Sequence, residues 1–123
     1  MIPDDDDLLV RFVRENTATY WAPSADELRA VLESDPHRSE FDPAIAAWCV
    51  LGPARMLRTV ATGDVVSKVT AGRWIVERHP HLAEVVNLAL AVRDDADHPP
   101  VDRRVMLDVA TFIDEVVALV DAT

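Results

Sequence analysis

The sequence predicts an all-α protein, a helical bundle of about five to six helices that forms a single domain over residues 1–123. Three observations support this class. Apolar residues recur at intervals of three and four along most of the chain, as they do on one face of an α-helix. Only 3 of the 123 residues are glycine, fewer than tight-turned sheet proteins use. No stretch alternates apolar and polar residues as a strand would.

The first predicted helix begins in the aspartate run 4–7, because carboxylates complement the positive end of the helix dipole. Its apolar face includes Leu8, Phe12 and Tyr20. We expect Pro23 and Ser24 to interrupt it, with Ser24 and Glu27 forming a capping box for a short second helix that extends to about Glu33.

A longer helix is predicted from Asp42 to Thr62. Asp42 is a good N-cap residue, and Pro43 suits the first helical position. Pro53 lies inside this helix and lacks a backbone donor, so a kink is expected near Cys49, eased by Gly52.

Three further helices complete the bundle. The first extends from Ser67 to His79, and the second includes Leu82–Leu90 and leads to an acidic loop at 94–100. The last extends from about Val101 to Ala122 and is apolar on two flanks. Such a helix belongs in the middle of a bundle, or it packs on a partner as well, for example in a homodimer.

Charge and cysteine content restrict the function. The formal net charge of −10 excludes nucleic acid as the main partner and favours cationic ligands. Cys49 is the only cysteine, so no internal disulfide forms, and its apolar neighbours predict a buried side chain rather than a nucleophile. The acidic N-terminus does not resemble a signal peptide, and no apolar run has the roughly 18 residues that a membrane span needs. We therefore expect a cytoplasmic protein without a membrane partner.

The segment between the third and fourth helices carries the strongest local signal. Gly63 suits the left-handed end of one helix, and Ser67 suits the N-cap of the next. Lys68 then falls in the first turn, where a cation is unfavourable unless an anion such as a nucleotide phosphate binds. Arg73 and Arg78 follow on the same helix. A solvated surface lysine is the alternative interpretation.

Other candidate sites are weaker. The tryptophans Trp21, Trp48 and Trp74 could stack on a ligand or pack in the core. His79 and His81 flank a proline without a third metal ligand nearby, and no glycine-rich phosphate loop is present. No metal site and no catalytic residue is therefore predicted.

Several motifs between Ala47 and Pro80 resemble one known family. They are Ala47-Trp48-Cys49-Val50-Leu51-Gly52, Ala54-Arg55, Thr62-Gly63-x-Val65-Val66-Ser67-Lys68, Ala71-Gly72 and Trp74-x-x-Glu77-Arg78-x-Pro80. The chain resembles the C-terminal helical domain of aminoglycoside nucleotidyltransferases, in particular the streptomycin and spectinomycin adenylyltransferases. The segment 13–21 resembles the first helix of that domain.

The resemblance implies a role in a nucleotide cleft. In the family, a separate nucleotidyltransferase domain carries the magnesium ligands and the base, and the helical domain helps to hold ATP and the drug. By resemblance, Lys68 and Ser67 would contact the nucleotide phosphates, and Asp42, Trp48 and Trp74 would border the substrate cleft. Ile45 and Trp48 occupy positions where the resistance enzymes have drug-binding residues, so recognition of streptomycin is not implied.

Because the catalytic domain is missing from this sequence, we expect a chain that is inactive alone and needs no cofactor by itself. ATP and magnesium would be used only with a nucleotidyltransferase domain in cis or in trans, and a cationic aminoglycoside is a possible ligand. The alternative is an interaction module paired with a separate minimal nucleotidyltransferase, as in toxin–antitoxin systems, or a structural dimer. Arg73 and His79 also fit a loose ribonuclease signature of related helical bundles.

Overall fold

A computed structural model describes residues 5–123, and over this range the fold is all-α, as predicted. It has no β-strand in the described range, only an isolated bridge between Phe41 and Val101. A π-helical turn at Thr17–Trp21 and a 3-10 turn at Pro80–Leu82 join neighbouring helices. The six α-helices within residues 5–123 are α1 Asp5–Asn16, α2 Ala22–Ser34, α3 Pro43–Thr62, α4 Lys68–Arg78, α5 Ala83–Asp94 and α6 Arg103–Ala122. The predicted helix start at 4–7 agrees with α1, although Asp4 lies outside the described residues.

The π-helical turn makes α1 and α2 one continuous helical run. The Ala22 N–H donates to the Thr17 carbonyl, one residue further back than in an α-helix. This wider turn directly precedes Pro23, which has no N–H to donate. The Ser24 hydroxyl donates to the Tyr20 carbonyl at 2.6 Å, and no side chain caps α2. The predicted interruption and the capping box at Ser24 and Glu27 are therefore wrong.

The N-termini of α3 and α6 lie side by side. Phe41 and Val101 exchange two backbone hydrogen bonds of 2.9 and 3.0 Å directly before the two helices. The Asp42 carboxylate then accepts from the Ala44 N–H, which confirms the predicted N-cap. Asp102 caps α6 in the same way, so this helix begins at Arg103, slightly later than predicted.

Helices α3 and α6 form the centre of the bundle. The α1–α2 run packs on one side of this pair, and α4 and α5 pack against α3. The central position of α6 agrees with its broad apolar surface. The largest fully buried side chains are Phe112, Leu51, Ile75, Met106 and Ile113. No helix in the described range is both long enough and apolar enough to cross a bilayer.

Helix α3 continues through Pro53 from Pro43 to Thr62. Gly52 has a packing role that the sequence pattern does not reveal. A Cβ atom at this position would lie 2.3 Å from the Trp21 ring, far inside van der Waals contact. The absence of a side chain at Gly52 therefore lets the Trp21 indole lie directly on the α3 backbone.

Candidate functional site

The turn between α3 and α4 fixes the position of Lys68. Gly63 has φ 81° and donates its N–H to the Thr59 carbonyl at 2.7 Å, which ends α3 as predicted. The Ser67 hydroxyl accepts from the Thr70 N–H at 3.1 Å and caps α4. Lys68 is thus the first residue of α4, at the positive end of its dipole.

The Lys68 ammonium has one favourable contact, with an aromatic ring, and two repulsive neighbours. Its Nζ atom is 4.3 Å from the centre of the Trp48 ring, in cation–π geometry. Burial, and then the positive charges of Arg93 and Arg55, lower the pKa of Lys68. Three side chains from α3, α4 and α5 thus bring positive charge to one place.

No carboxylate of residues 8–123 forms an ion pair with any of these three cations. The ion pairs of the described part of the chain involve Arg29 and His81, and none includes Lys68, Arg55 or Arg93. In a chain with a formal net charge of −10, acidic residues outnumber basic ones, so three neighbouring cations without an ion-pair partner are unusual. We call these three residues the cation cluster.

Two pockets lie on either side of Trp48 and Lys68, which line both of them. The smaller pocket, of about 250 Å³, lies between α3 and the end of α5. The larger, of about 380 Å³, lies between the α1–α2 run and α3. The other residues lining the smaller pocket are Ala44, Ala47, Leu51, Val92 and Arg93. Those lining the larger pocket are Asn16, Tyr20, Trp21, Gly52, Arg55 and Met56.

Three aromatic rings form the wall of the larger pocket. Tyr20 meets Trp21 edge to face with ring centres 4.8 Å apart, and Trp21 lies 6.1 Å from Trp48. Trp21 is buried, whereas Tyr20 and Trp48 are 49% and 50% exposed. The interpretation of core packing therefore holds for Trp21 and not for Trp48, whose ring face is available beside the cations.

The structure brings only some of the predicted site residues together. Lys68 and Trp48 are in contact. Ser67 is the N-cap residue of α4, the helix that begins with Lys68. Asp42 lines neither pocket, and its carboxylate is used to cap α3. Trp74 also lies outside both pockets and is half-buried, and its ring centre is 5.8 Å from the guanidinium carbon of Arg58 and 5.7 Å from that of Arg78.

The cations that accompany Lys68 differ from those that the sequence indicated. Arg78 lies over Trp74, and Arg73 is exposed to solvent on α4. Arg55 and Arg93 take their place. Arg55 belongs to the Ala54-Arg55 motif of the family resemblance, but the sequence does not identify it as a site residue. No local signal identifies Arg93, which the packing of α5 on α3 brings to the cluster.

Two other candidate groups have a defined environment. Burial raises the pKa of the Cys49 thiol, which favours the protonated form and agrees with a packing role.

His79 follows α4, and its ring centre lies 6.0 Å from that of His81. Burial, followed by the charges of His81 and Arg78, lowers its pKa.

Comparison with protein families gives a match. The family model for the aminoglycoside adenylyltransferase, C-terminal domain, matches residues 19–118. Because this range covers most of the 123 residues, the chain belongs to that family. Comparisons with curated proteins and with solved structures gave no match.

Proposed function

We propose that this aminoglycoside adenylyltransferase C-terminal domain forms the helical side of a nucleotide cleft and is catalytically inactive alone. In this proposal the cation cluster of Lys68, Arg55 and Arg93 receives the phosphates of ATP. A nucleotidyltransferase domain, in cis or in trans, supplies the magnesium ligands and the base. The observation that carries the proposal is geometric: Lys68 lines one pocket with Arg93 and the adjacent pocket with Arg55, and none of the three forms an ion pair in residues 8–123 of this acidic chain.

Electrostatics explains why a phosphate chain suits this place. The charged form of Lys68 is disfavoured by burial and by the neighbouring Arg93 and Arg55, and its position at a helix N-terminus is also unfavourable for a cation. A polyphosphate would offset the repulsion among these cations and with the helix dipole, because it carries several negative charges and many acceptor oxygens. The α4 N-terminus also presents backbone N–H groups that are not used inside the helix.

The surface around the cluster supports a partner domain. Tyr20 and Trp48 are half-exposed beside the larger pocket, and Ile45, one turn before Trp48 on α3, is 53% exposed. Apolar side chains grouped in this way favour an interaction surface over a solvent-facing one. A nucleotidyltransferase domain that closes on ATP bound at Lys68 would cover these side chains.

An aminoglycoside acceptor would need carboxylates, since these drugs are cationic. The cation cluster opposes such a ligand, and Asp42 is already used as a helix cap. We therefore propose that the partner domain supplies most of the acidic contacts to the acceptor substrate. The identity of that substrate would then depend on the partner rather than on this chain.

Nucleotide binding tests the proposal directly. Titration of the chain with ATP, followed by calorimetry or NMR, should give weak binding that decreases with added salt. Lys68→Gln and Arg93→Gln should each weaken binding about tenfold, which corresponds to roughly 1.4 kcal/mol. Arg73→Gln removes the same charge from the exposed face of α4 and serves as the control, with unchanged affinity expected. Equal losses in all three variants would contradict the proposed site.

Turnover separates the proposed function from its alternatives. The chain alone with ATP, magnesium and an aminoglycoside should give no adenylylated product, and a separately produced nucleotidyltransferase domain should bind it. Product formation by the chain alone would contradict the proposed inactivity. A stable dimer in light scattering without a partner would favour the structural dimer, and RNA cleavage that His79→Ala abolishes would favour a ribonuclease.

A further inference from the structure

A second groove lies between α5 and α6 and shares no residue with the pockets at Trp48. Its volume is about 530 Å³, within the range of small-molecule sites. The apolar side chains that line it are Leu82, Val85, Leu88, Val105 and Phe112. Phe112 is fully buried, whereas Val85 and Leu88 are only partly covered by the rest of the chain. The groove therefore offers an apolar surface of ligand size.

The charged side chains of this groove are mostly acidic. Glu84, Asp108 and Glu115 line it, against Arg104 as the one permanent cation of its lining. His81 lies at the same groove, with its Nε2 atom 3.1 Å from a Glu115 carboxylate oxygen. No ion pair in the described part of the chain involves Glu84 or Asp108. The groove thus combines an apolar surface with unneutralised negative charge.

We propose that this groove binds an organic cation that has an apolar body, such as an aryl-alkyl amine. The apolar body would lie against Val85, Leu88 and Val105, and the ammonium group would lie near Glu84 or Asp108. This inference is independent of the nucleotide-binding proposal, because the two sites share no residues and have opposite charge.

Charge complementarity selects this occupant over the alternatives. In a symmetric dimer the same surface meets itself, so the excess of carboxylates over Arg104 in the lining would be doubled within one interface. An anionic ligand would be repelled in the same way. A neutral apolar ligand could cover the apolar side chains but would gain nothing from the exposed carboxylates of Glu84 and Asp108. A cationic head group on an apolar body satisfies both properties of the groove.

Three ligands with one body and different head groups test the proposal. We would titrate the ¹⁵N-labelled chain with 4-phenylbutylamine, 4-phenylbutanol and 4-phenylbutyrate and follow the amide shifts. The amine should move the α5 and α6 amides around Val85 and Val105 and bind about two- to fivefold more tightly than the alcohol, as expected for one exposed charge pair. The carboxylate should bind most weakly.

Matched variants locate the effect. The double variant Glu84→Gln/Asp108→Asn should lower the affinity of the amine to that of the alcohol. Asp121→Asn removes a carboxylate from α6 outside the groove and should leave the affinity unchanged. Circular dichroism checks that each variant keeps its helical content. The proposal is overturned if the three ligands bind equally, if the amine shifts cluster around Trp48, or if the double variant binds the amine like the wild type.

Discussion

Positively charged side chains have opposite environments at two places in this molecule. Arg103 donates to the main-chain oxygens of Leu32 and Asp35 at the C-terminal end of α2, the first at 2.8 Å, and to that of Arg38 in the following turn at 2.9 Å. Arg14 donates in the same way to Val120 and Thr123 at the end of α6. Lys68, in contrast, lies at the N-terminus of α4, with two other cations and no carboxylate partner in the described residues.

The difference follows from the polarity of the helix. The last carbonyl groups of a helix lack intrahelical donors and carry partial negative charge, so an arginine there completes the hydrogen bonding of the fold. The first N–H groups carry partial positive charge, so a lysine there opposes it. We infer that Arg14 and Arg103 stabilise the structure, whereas the cation cluster binds a ligand and does not stabilise the fold. Substitutions at the two kinds of position should separate these roles.

Loss of Arg103 should have the largest effect on stability. Arg103→Met removes three hydrogen bonds from a charged donor and leaves helix-end carbonyls unpaired, which should cost about 2–4 kcal/mol. Arg104→Met, at the neighbouring exposed position, should change stability by no more than about 0.5 kcal/mol. Urea unfolding of both variants measures the difference. ATP affinity should stay unchanged in Arg103→Met, and a similar cost for both variants would contradict the structural role.

Gly52 packs against the buried Trp21 ring and lines the same pocket as Lys68 and Arg55. Gly52→Ala places a methyl group against the buried Trp21 ring and should cost about 1–3 kcal/mol through overpacking. Gly72→Ala is the matched control, since its new methyl group would lie 3.2 Å from the terminal side-chain atoms of Leu51 and Leu90, which need to move by only a few tenths of an ångström. Its stability should stay within about 1 kcal/mol of the wild type, because alanine also favours the helix. Thermal unfolding of the two variants gives the comparison.

The sequence predicts those parts of the fold that depend on local chemistry. The caps at Asp42, Gly63 and Ser67 were predicted correctly, because each depends on residues within one helical turn. The capping box at Ser24 was wrong, because a π-helical turn allows the helix to continue into a proline. Such a turn leaves no clear signal in the spacing of apolar residues.

The cation cluster was only partly predictable for a related reason. Lys68 is marked by its position after a capping serine, which is a local feature. Arg93 reaches the cluster from the end of α5, and only the packing of helices brings it there. Arg78 was grouped with Lys68 by its sequence position, but it lies against Trp74 instead.

Charge reversal at Lys68 should separate stability from binding. Lys68→Glu places a carboxylate at the start of α4, near Arg55 and Arg93, and should raise stability by about 0.3–1 kcal/mol at low salt. The gain should shrink as salt increases. The same variant should lose ATP binding. Urea unfolding at two salt concentrations measures the first effect, and Lys68→Gln should give an intermediate value. A less stable Lys68→Glu would show that the lysine supports the fold.

The smallest expected effect is the pH dependence contributed by His79. Burial and the charges of His81 and Arg78 lower its pKa from the ordinary value of 6.5, so the unfolded chain binds this proton more readily than the folded chain. His79 should therefore reduce stability as the pH falls below 6.5, with the full loss reached below the lowered folded pKa. His79→Asn keeps the helix-ending backbone and removes this titration. Urea unfolding at pH 7.5 and 5.5 should then show a smaller loss of stability in His79→Asn than in the wild type. An equal loss in both proteins would assign the pH dependence to other groups. It would then follow that burial and the charges of His81 and Arg78 do not lower the pKa of His79 in the folded chain.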